Sequence, residues 1–361
     1  MILYFFYLVF ESKIGLKEPK NRSKFFIKIG SYFKKKIRSL KISTILLFSS
    51  LNMKRYFWPF FIFTCLLVLS FSFFHAHSAR KNSHSKLKKR SALADLPSYK
   101  NFCRSVVLDE AKFTSFRRDP LFALFHDFHT EEEGSDFFIE IVSKYPHLLF
   151  KLEQFRQSDM IGSPQVFNYP FIGAFSPTTL GYVKTAGEIE KLVGSWENLH
   201  IVEIGGGYGG LCKILSDLHP FASYTIVDLP ENLELSKRYL EKLGIKNVKF
   251  CSLQEVYSHK ITYDLVVSYY GLSQFDRDIQ RKLIKSICRQ ARSGYLACHF
   301  HPKHYGVKSL PNMQFAKILK RIQPDVKELP EEPLLLKGNR LFIWHPKNPI
   351  FPLLPKEKDV L

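Results

Sequence analysis

Between about residues 199 and 300, short runs of consecutive apolar residues alternate with longer amphipathic segments. Such runs are the mark of parallel strands buried on both faces and joined by helices. Five strands are predicted, over about 199–204, 223–227, 247–251, 263–268 and 294–300. The fourth, Tyr263-Asp264-Leu265-Val266-Val267-Ser268, is the most continuous. Helices fall between them: about 208–217, a second opening at Asp228-Leu229-Pro230-Glu231 with Pro and Glu in its first turn, and Asp276–Ala291. A late strand follows at Leu341-Phe342-Ile343-Trp344. This order of elements predicts an α/β fold with an open, Rossmann-like sheet.

Upstream the pattern changes to a helical period. From Leu96 to about Phe155 it predicts helices at Pro120–Phe128, Asp136–Ile141 and Leu148–Phe155, which would form an N-terminal cap over the sheet. Ser158–Thr179 is rich in Gly, Pro and aromatic residues and reads as a loop. Ser176-Pro177 then opens a helix to about Val193, with proline in its first turn.

Before residue 96 there is no periodicity to read. Tyr56–Phe74 has no charge over 19 residues and follows Lys54-Arg55, so this apolar leader is long enough to span a bilayer. The same stretch, between Met53 and His75-Ala76-His77-Ser78-Ala79, also has the parts of a secretory signal. On that reading Met53 starts the chain. Seven Lys and Arg between 34 and 55 and six between 80 and 90 flank the segment, so the positive-inside rule gives no orientation. The chain divides into a basic, aromatic leader (1–52), an anchor or signal (53–79), a basic linker (80–95), a helical cap and substrate-side region (96–195), a Rossmann-like domain (196–346) and a tail (347–361).

The net charge of +20 suggests nucleic acid until it is mapped. Residues 1–100 hold 20 Lys and Arg against 3 Asp and Glu, and residues 101–361 hold 33 against 30. The domain is nearly neutral, which argues against a nucleic-acid footprint on it. A basic segment beside apolar sequence instead suits the inner face of a membrane. The 34 Phe are assigned to core and leader rather than to a base-stacking platform. Six cysteines, at 65, 103, 212, 251, 288 and 298, show no C-x-x-C pair and no metal-ligand spacing. Cys212 and Cys251 are expected in the core, as reduced thiols.

The candidate chemistry lies at the end of the first strand. Glu203-Ile204-Gly205-Gly206-Gly207-Tyr208-Gly209-Gly210 reads E-x-G-x-G-x-G, and the second strand, Tyr224-Thr225-Ile226-Val227, ends in Asp228. A strand, a glycine turn, a helix and a second strand tipped by an acid form a site for a nucleoside-bearing cofactor. Gly205, Gly207 and Gly210 also satisfy G-x-G-x-x-G, so an NAD(P)-dependent oxidoreductase stays open, as does a glycine turn without a ligand. Glu203 suits a cofactor carrying an ammonium, as S-adenosylmethionine does, and Tyr208 would crowd a pyrophosphate. On this reading Glu203 orients the methionine amine, and Gly205, Gly206, Gly207 and Gly209 give close backbone approach. Asp228 would take the ribose hydroxyls, Leu229 the adenine face, and Gln254, with Glu255, the adenine amine. Gln254-Glu255 is equally well read as the polar start of a helix. No metal ligands are assigned. His299 and His301 would point the same way on an extended strand and are the candidate bases, with a pair of metal ligands or ordinary loop histidines as the other readings. Tyr269 and Tyr270 are read as either an acceptor pocket or packing.

Several segments carry a resemblance. They are Ser158-Asp159-Met160-Ile161-Gly162-Ser163-Pro164, Phe175-Ser176-Pro177-Thr178-Thr179-Leu180-Gly181-Tyr182, the glycine turn with Asp228-Leu229-Pro230, and Tyr263–Ser268 leading to Ser273-Gln274. Pro330-Glu331-Glu332-Pro333 ahead of Asn339-Arg340-Leu341-Phe342-Ile343-Trp344 completes the set. In this order they resemble the sugar O-methyltransferases, a group of class I S-adenosylmethionine-dependent enzymes, over roughly residues 96–345. The resemblance implies a class I methyltransferase sheet, S-adenosylmethionine as cofactor, and methyl transfer to an oxygen of a sugar or glycan acceptor. After the fourth strand this family often carries Asn and then an acidic residue, where this chain has Ser268-Tyr269-Tyr270 and Ser273-Gln274. The departure keeps a non-catalytic, cofactor-binding protein open. Signal cleavage would export the domain away from cytoplasmic S-adenosylmethionine. An uncleaved membrane anchor with the domain facing the cytoplasm is therefore the expected location, and export the alternative.

Overall fold

The helical period of the cap and the apolar runs that follow it both appear as the elements they predict, with corrections at their ends. The computed structural model describes residues 91–92, 94–258, 262–300 and 307–346. The leader, including Tyr56–Phe74, lies outside the described residues, as does the tail. Among the described residues no helix is long and apolar enough to cross a membrane.

The cap consists of α1 (Pro97–Leu108), α2 (Glu110–Phe113), α3 (Pro120–Ala123), α4 (Glu131–Lys144) and α5 (Leu152–Arg156). Helix α3 stops at Ala123, short of the predicted Phe128. Asp127 is drawn onto the Arg117 guanidinium at 2.7 and 3.0 Å, which takes residues 124–129 out of the helical path. A short antiparallel hairpin, β1 (Phe167–Tyr169) and β2 (Gly173–Phe175), occupies the predicted loop. Its three-residue strands are too short to show a period. Helix α6 (Pro177–Val193) starts where the sequence says, with the Ser176 hydroxyl accepting from Thr179 N. It is buried almost all round, and Gly187 lets the Tyr145 ring lie where a Cβ would come within 2.5 Å.

The sheet follows. Its strands are β3 (His200–Ile204), β4 (Ser223–Asp228), β5 (Val248–Ser252), β6 (Leu265–Tyr269), β7 (Ser293–Cys298), β8 (Lys327–Pro330) and β9 (Arg340–Trp344). The connecting helices are α7 (Gly210–Leu218), α8 (Pro230–Lys242), α9 (Leu253–Ser258), α10 (Arg277–Leu283, prolonged by a π turn at Ile284–Cys288) and α11 (Asn312–Ile322). The strand order is β5-β4-β3-β6-β7-β9-β8. The first five are parallel, and β9 is antiparallel to both β7 and β8. Ile201, Val202, Ile204, Leu265, Val266 and Val267 are fully buried, as central strands require. Strand β8 escapes the sequence pattern because Lys327, Glu328 and Pro330 belong to a polar edge, where proline and charge block further pairing. Strand β5 is the opposite edge. That is why Cys251 is only half-buried, correcting the expectation for it, whereas Cys212 on α7 is fully buried.

Two arginines hold the cap in place, one from α8 and one within the cap region. Arg238 on α8 donates to Val106 O and Val107 O at 2.7 Å each, satisfying carbonyls at the end of α1 that have no partner within the helix. Arg117 is buried between the cap and the β1–β2 region. It binds Asp127, Asp159 Oδ1 at 3.1 Å and Ser158 O at 3.0 Å. Asp159 in turn accepts from Ser176 N at 2.7 Å and Thr179 Oγ1 at 2.7 Å. The Ser158–Pro164 and Phe175–Tyr182 segments are thus two halves of one polar network.

Candidate functional site

The strand order reverses between β3 and β6, and in open α/β sheets the crevice beyond the carboxyl ends at such a point is where ligands bind. Here Gly205, Gly206, Gly207, Glu203, Asp228, Leu229 and Asn232 line it from the sheet side. Tyr269, Tyr270, Gly271, Gln274 and Phe275 line it from the loop after β6. The cap closes it with Phe125, His126 and Phe128, alongside Ala92, Ala94 and Tyr182.

The turn needs its glycines for geometry. Gly205 has φ +77°, and a Cβ there would fall 2.5 Å from the Gly271 Cα. Its close neighbour is backbone, so nothing can swing aside, and the two loops of the switch point touch main chain to main chain. Gly207 has φ +57° and lies under the His126 ring, whose Cε1 would be 2.7 Å from an added Cβ. Gly209, at φ +91°, serves as the cap of α7 and does not line the crevice.

Two carboxyls flank the turn. Asp228 is buried and accepts from Gly207 N at 2.8 Å, Leu229 N at 2.6 Å and Asn232 Nδ2 at 3.0 Å. A carboxylate has about four acceptor sites, so three are filled and capacity for a ligand hydroxyl remains. Glu203 is 2% exposed and accepts from the Tyr224 hydroxyl at 2.9 Å. Burial, the dominant cause in both, pushes Glu203 up to about 8 and Asp228 up to about 6.

A carboxyl that titrates higher in the folded than in the unfolded chain binds more protons when folded. Its stabilising contribution is complete below the unfolded pKa and is lost as pH rises through the folded value. His126, lowered to about 4 by burial, acts in the opposite sense, but only below its ordinary 6.5. The thermal midpoint of the ligand-free chain is therefore expected to fall between about pH 6.5 and about pH 8, and Glu203→Gln to flatten that slope. Melting curves across this interval check it, and a flat or rising wild-type midpoint would count against a raised Glu203.

The other sequence-predicted residues divide. Leu229 lines the crevice and is buried. Gln254 is exposed on α9 and does not line it, and Glu255 accepts from Ser252 N at 2.6 Å, the polar helix start that was the other reading of this pair. His299 is half-buried behind Tyr270, with ring centroids 6.0 Å apart, and does not line the crevice. His301 lies outside the described residues. Tyr208, expected to crowd a pyrophosphate, is instead fully buried among Phe116, Phe122 and Tyr239 under Arg117, so it has no such role. Among the described residues no group of three or more His, Cys, Asp or Glu could hold a metal ion.

Sequence reasoning missed what the cap and the start of α8 bring. His126, Tyr182 and Asn232 line the crevice, and His129 hydrogen-bonds the Tyr269 hydroxyl at 3.1 Å. Only Asn232, four residues after Asp228 at the start of a helix, carried a readable local signal. Behind the crevice, Glu331 accepts from the Tyr270 hydroxyl and from Asn339 Nδ2, so the Pro330–Pro333 and Asn339–Trp344 segments together brace the loop after β6. Ser268 donates to Ile204 O at 2.7 Å and accepts from Leu272 N at 2.9 Å, tying β6 to β3.

No family model matches the chain. It is 25% identical over 146 residues to a protein-L-isoaspartate O-methyltransferase of Pyrococcus abyssi, covering 40% of this chain and 64% of that protein's length. Among solved structures it is similar to magnesium protoporphyrin IX methyltransferase of Synechocystis PCC 6803 with bound SAM. That match has 16% identity, 56% of this chain, 95% of that one and a TM-score of 0.36. It is also similar to the N-terminal domain of EvdMO1 with SAH bound, at 16% identity, 53% of this chain, 92% of that one and a TM-score of 0.38. Mitomycin 7-O-methyltransferase MmcR is a third, at 12% identity, 70% and 69% coverage and a TM-score of 0.37.

Proposed function

We propose that this chain is an S-adenosylmethionine-dependent methyltransferase acting on oxygen, with a sugar hydroxyl as its acceptor. The observation that carries the reading is one crevice holding Glu203, the Gly205–Gly207 turn, Asp228 and Leu229 side by side. Among the described residues the Glu203 carboxyl, pushed up to about 8, accepts from the neutral Tyr224 hydroxyl, and an amino-acid ammonium would supply it with a cation. Asp228 keeps acceptor capacity for ribose, Leu229 offers an apolar face for adenine, and the glycine backbone lets the ligand lie close. When bound, S-adenosylmethionine supplies an electrophilic methyl carbon. With a neutral thioether as the leaving group, that chemistry would need no acid from the protein, and the acceptor's proton would be left for the protein to receive. Phe125 and Phe275 give the crevice buried apolar walls, and its shape would orient the acceptor.

The curated relative is a methyltransferase, which agrees with the cofactor. A dinucleotide-binding sheet is built from two βαβαβ halves in the order 3-2-1-4-5-6. Here, among the described residues, only β7 continues parallel beyond β6, and β9 then enters antiparallel. That departure weighs against the NAD(P) reading. The sugar acceptor rests on the family resemblance and on the aromatic wall of Phe128, Tyr269 and Tyr270, against which a sugar ring can stack.

Calorimetry of the full chain with S-adenosylhomocysteine is expected to show micromolar binding. Incubation with S-adenosylmethionine and a panel of glycans is then expected to give products heavier by one methyl group. No binding by folded protein removes the methyltransferase reading. Binding without any methylated glycan removes the sugar acceptor and favours a non-catalytic or differently directed protein.

A further inference from the structure

A chain of three side chains runs from the cap into the crevice wall. Glu133 Oε2 lies 3.2 Å from His129 Nδ1, and His129 Nε2 lies 3.1 Å from the Tyr269 hydroxyl. His129 has no exposed side-chain surface, while Tyr269 lines the crevice beside Tyr182, Tyr270 and Gln274. Each member is held by its surroundings. Glu133 completes a capping box at the start of α4, accepting from Thr130 N at 2.9 Å. The His129 ring stands edge-on to Phe137, with centroids 5.2 Å apart. Gly181 on α6 leaves room for the phenol, since a Cβ there would come within 2.9 Å of the Tyr269 oxygen.

The chemistry gives the chain a direction. Glu133 is held below the usual carboxylate range, first by its hydrogen bond from His129, so it is the acceptor and Nδ1–H the donor. A neutral imidazole then has its lone pair on Nε2, which accepts from the Tyr269 hydroxyl. The phenol oxygen is left as an acceptor for a hydroxyl bound in the crevice. Burial and the facing carboxyl groups of Glu331 and Glu188 raise the Tyr269 phenol well above its ordinary range. Glu188 is paired with Lys184, and Glu331 with Tyr270 and Asn339. Tyrosinate is therefore disfavoured, and the tyrosine must pass its proton on rather than hold charge.

We propose that Tyr269 receives the proton of the methyl acceptor's hydroxyl while its own proton moves to His129 Nε2, with Glu133 holding the resulting imidazolium through Nδ1–H. The inference rests on the methyltransferase reading above. The acceptor O–H bond breaks, its electron pair enters the new oxygen–carbon bond, and the positive charge lost by the sulfonium reappears on His129 beside the Glu133 carboxylate. Tyr269 is the catalytic residue. His129 and Glu133 act through it from the cap.

The test uses the full chain in complex with S-adenosylhomocysteine, whose neutral sulfur cannot itself ionise a bound hydroxyl. p-Nitrophenol is the probe, because its ionised form absorbs visible light, and it is added at a pH well below its own pKa. The wild type is expected to ionise it. Tyr269→Phe and His129→Gln are expected to bind S-adenosylhomocysteine as the wild type does while losing at least about tenfold of the ionised signal. The wild-type signal is expected to vanish on acidification as one imidazole titrates, a step absent in His129→Gln. Glu133→Gln preserves the α4 cap bonds and is expected to move that step to lower pH, which keeps the test readable should His129→Gln not fold. A wild type that leaves the probe un-ionised, or variants that ionise it equally, overturns the relay alone. Absence of S-adenosylhomocysteine binding in the wild type instead overturns the methyltransferase reading on which it rests.

Discussion

Asp228→Ala is expected to remove S-adenosylhomocysteine binding from a chain that still folds. Its carboxylate joins three donors that sit on different parts of the site: Gly207 N in the turn, Leu229 N at the strand tip, and Asn232 Nδ2 on α8. Alanine leaves all three unpartnered and takes away the acceptor proposed for the ribose. Hydrogen bonds to a charged group contribute about 1.5–3 kcal/mol each, so loss of the ribose contact and of the turn's anchor together predicts at least a roughly 100-fold weaker complex. Stability should fall as well, by the cost of three unpartnered donors partly offset by removing a buried carboxyl that burial has pushed up to about 6. Asp228→Asn, which keeps one acceptor oxygen, should fall between the two. Calorimetric titration of the three proteins, beside their thermal midpoints, decides the matter. An unchanged affinity in Asp228→Ala would mean that Asp228 braces the turn without touching the ligand.

The sheet-side half of the crevice was legible in the sequence because its signals are local. Consecutive apolar residues mark β3 and β6, a Ser-Pro pair opens α6, and a glycine turn paired with a distal acid needs no tertiary information to be read. The cap-side half was not legible. His126-Asp127-Phe128 fits a helical period and was read as the end of a helix. It leaves that path because Asp127 pairs with Arg117, ten residues earlier, and His129 reaches Tyr269, 140 residues later. Tyr269 itself was noticed, but its partner could not be. His299 and His301 attracted attention because histidines cluster after β7, yet His299 stands behind Tyr270 rather than on the crevice. The motif segments around Glu331 and Asn339 carried a family likeness without a reason, and the reason is a shared hydrogen-bond network behind Tyr270.

Arg117→Ala should produce the largest loss of stability in the domain, and with it a loss of binding. The Arg117 side chain has no exposed surface, and the two carboxylates it pairs with, Asp127 and Asp159, are 9% and 6% exposed. Its guanidinium also donates to Ser158 O and Ser176 Oγ, and it stacks 5.0 Å from the centroid of the Tyr208 ring. Removing the cation strands two buried negative charges, and breaking a buried pair in this way costs about 3–5 kcal/mol. For a domain of this size the thermal midpoint should drop on the order of 10 °C. Arg117→Lys keeps the charge but cannot form the two parallel bonds to Asp127, so it should recover only part of the loss. Asp127 holds the segment that carries His126 and His129 over the crevice, so S-adenosylhomocysteine affinity should fall in step with stability. That coupling separates the two variants. Asp228→Ala is expected to lose the ligand with a smaller loss of stability, whereas Arg117→Ala is expected to lose both together. A stable Arg117→Ala with full binding would mean that the cap is held over the crevice by its apolar packing alone.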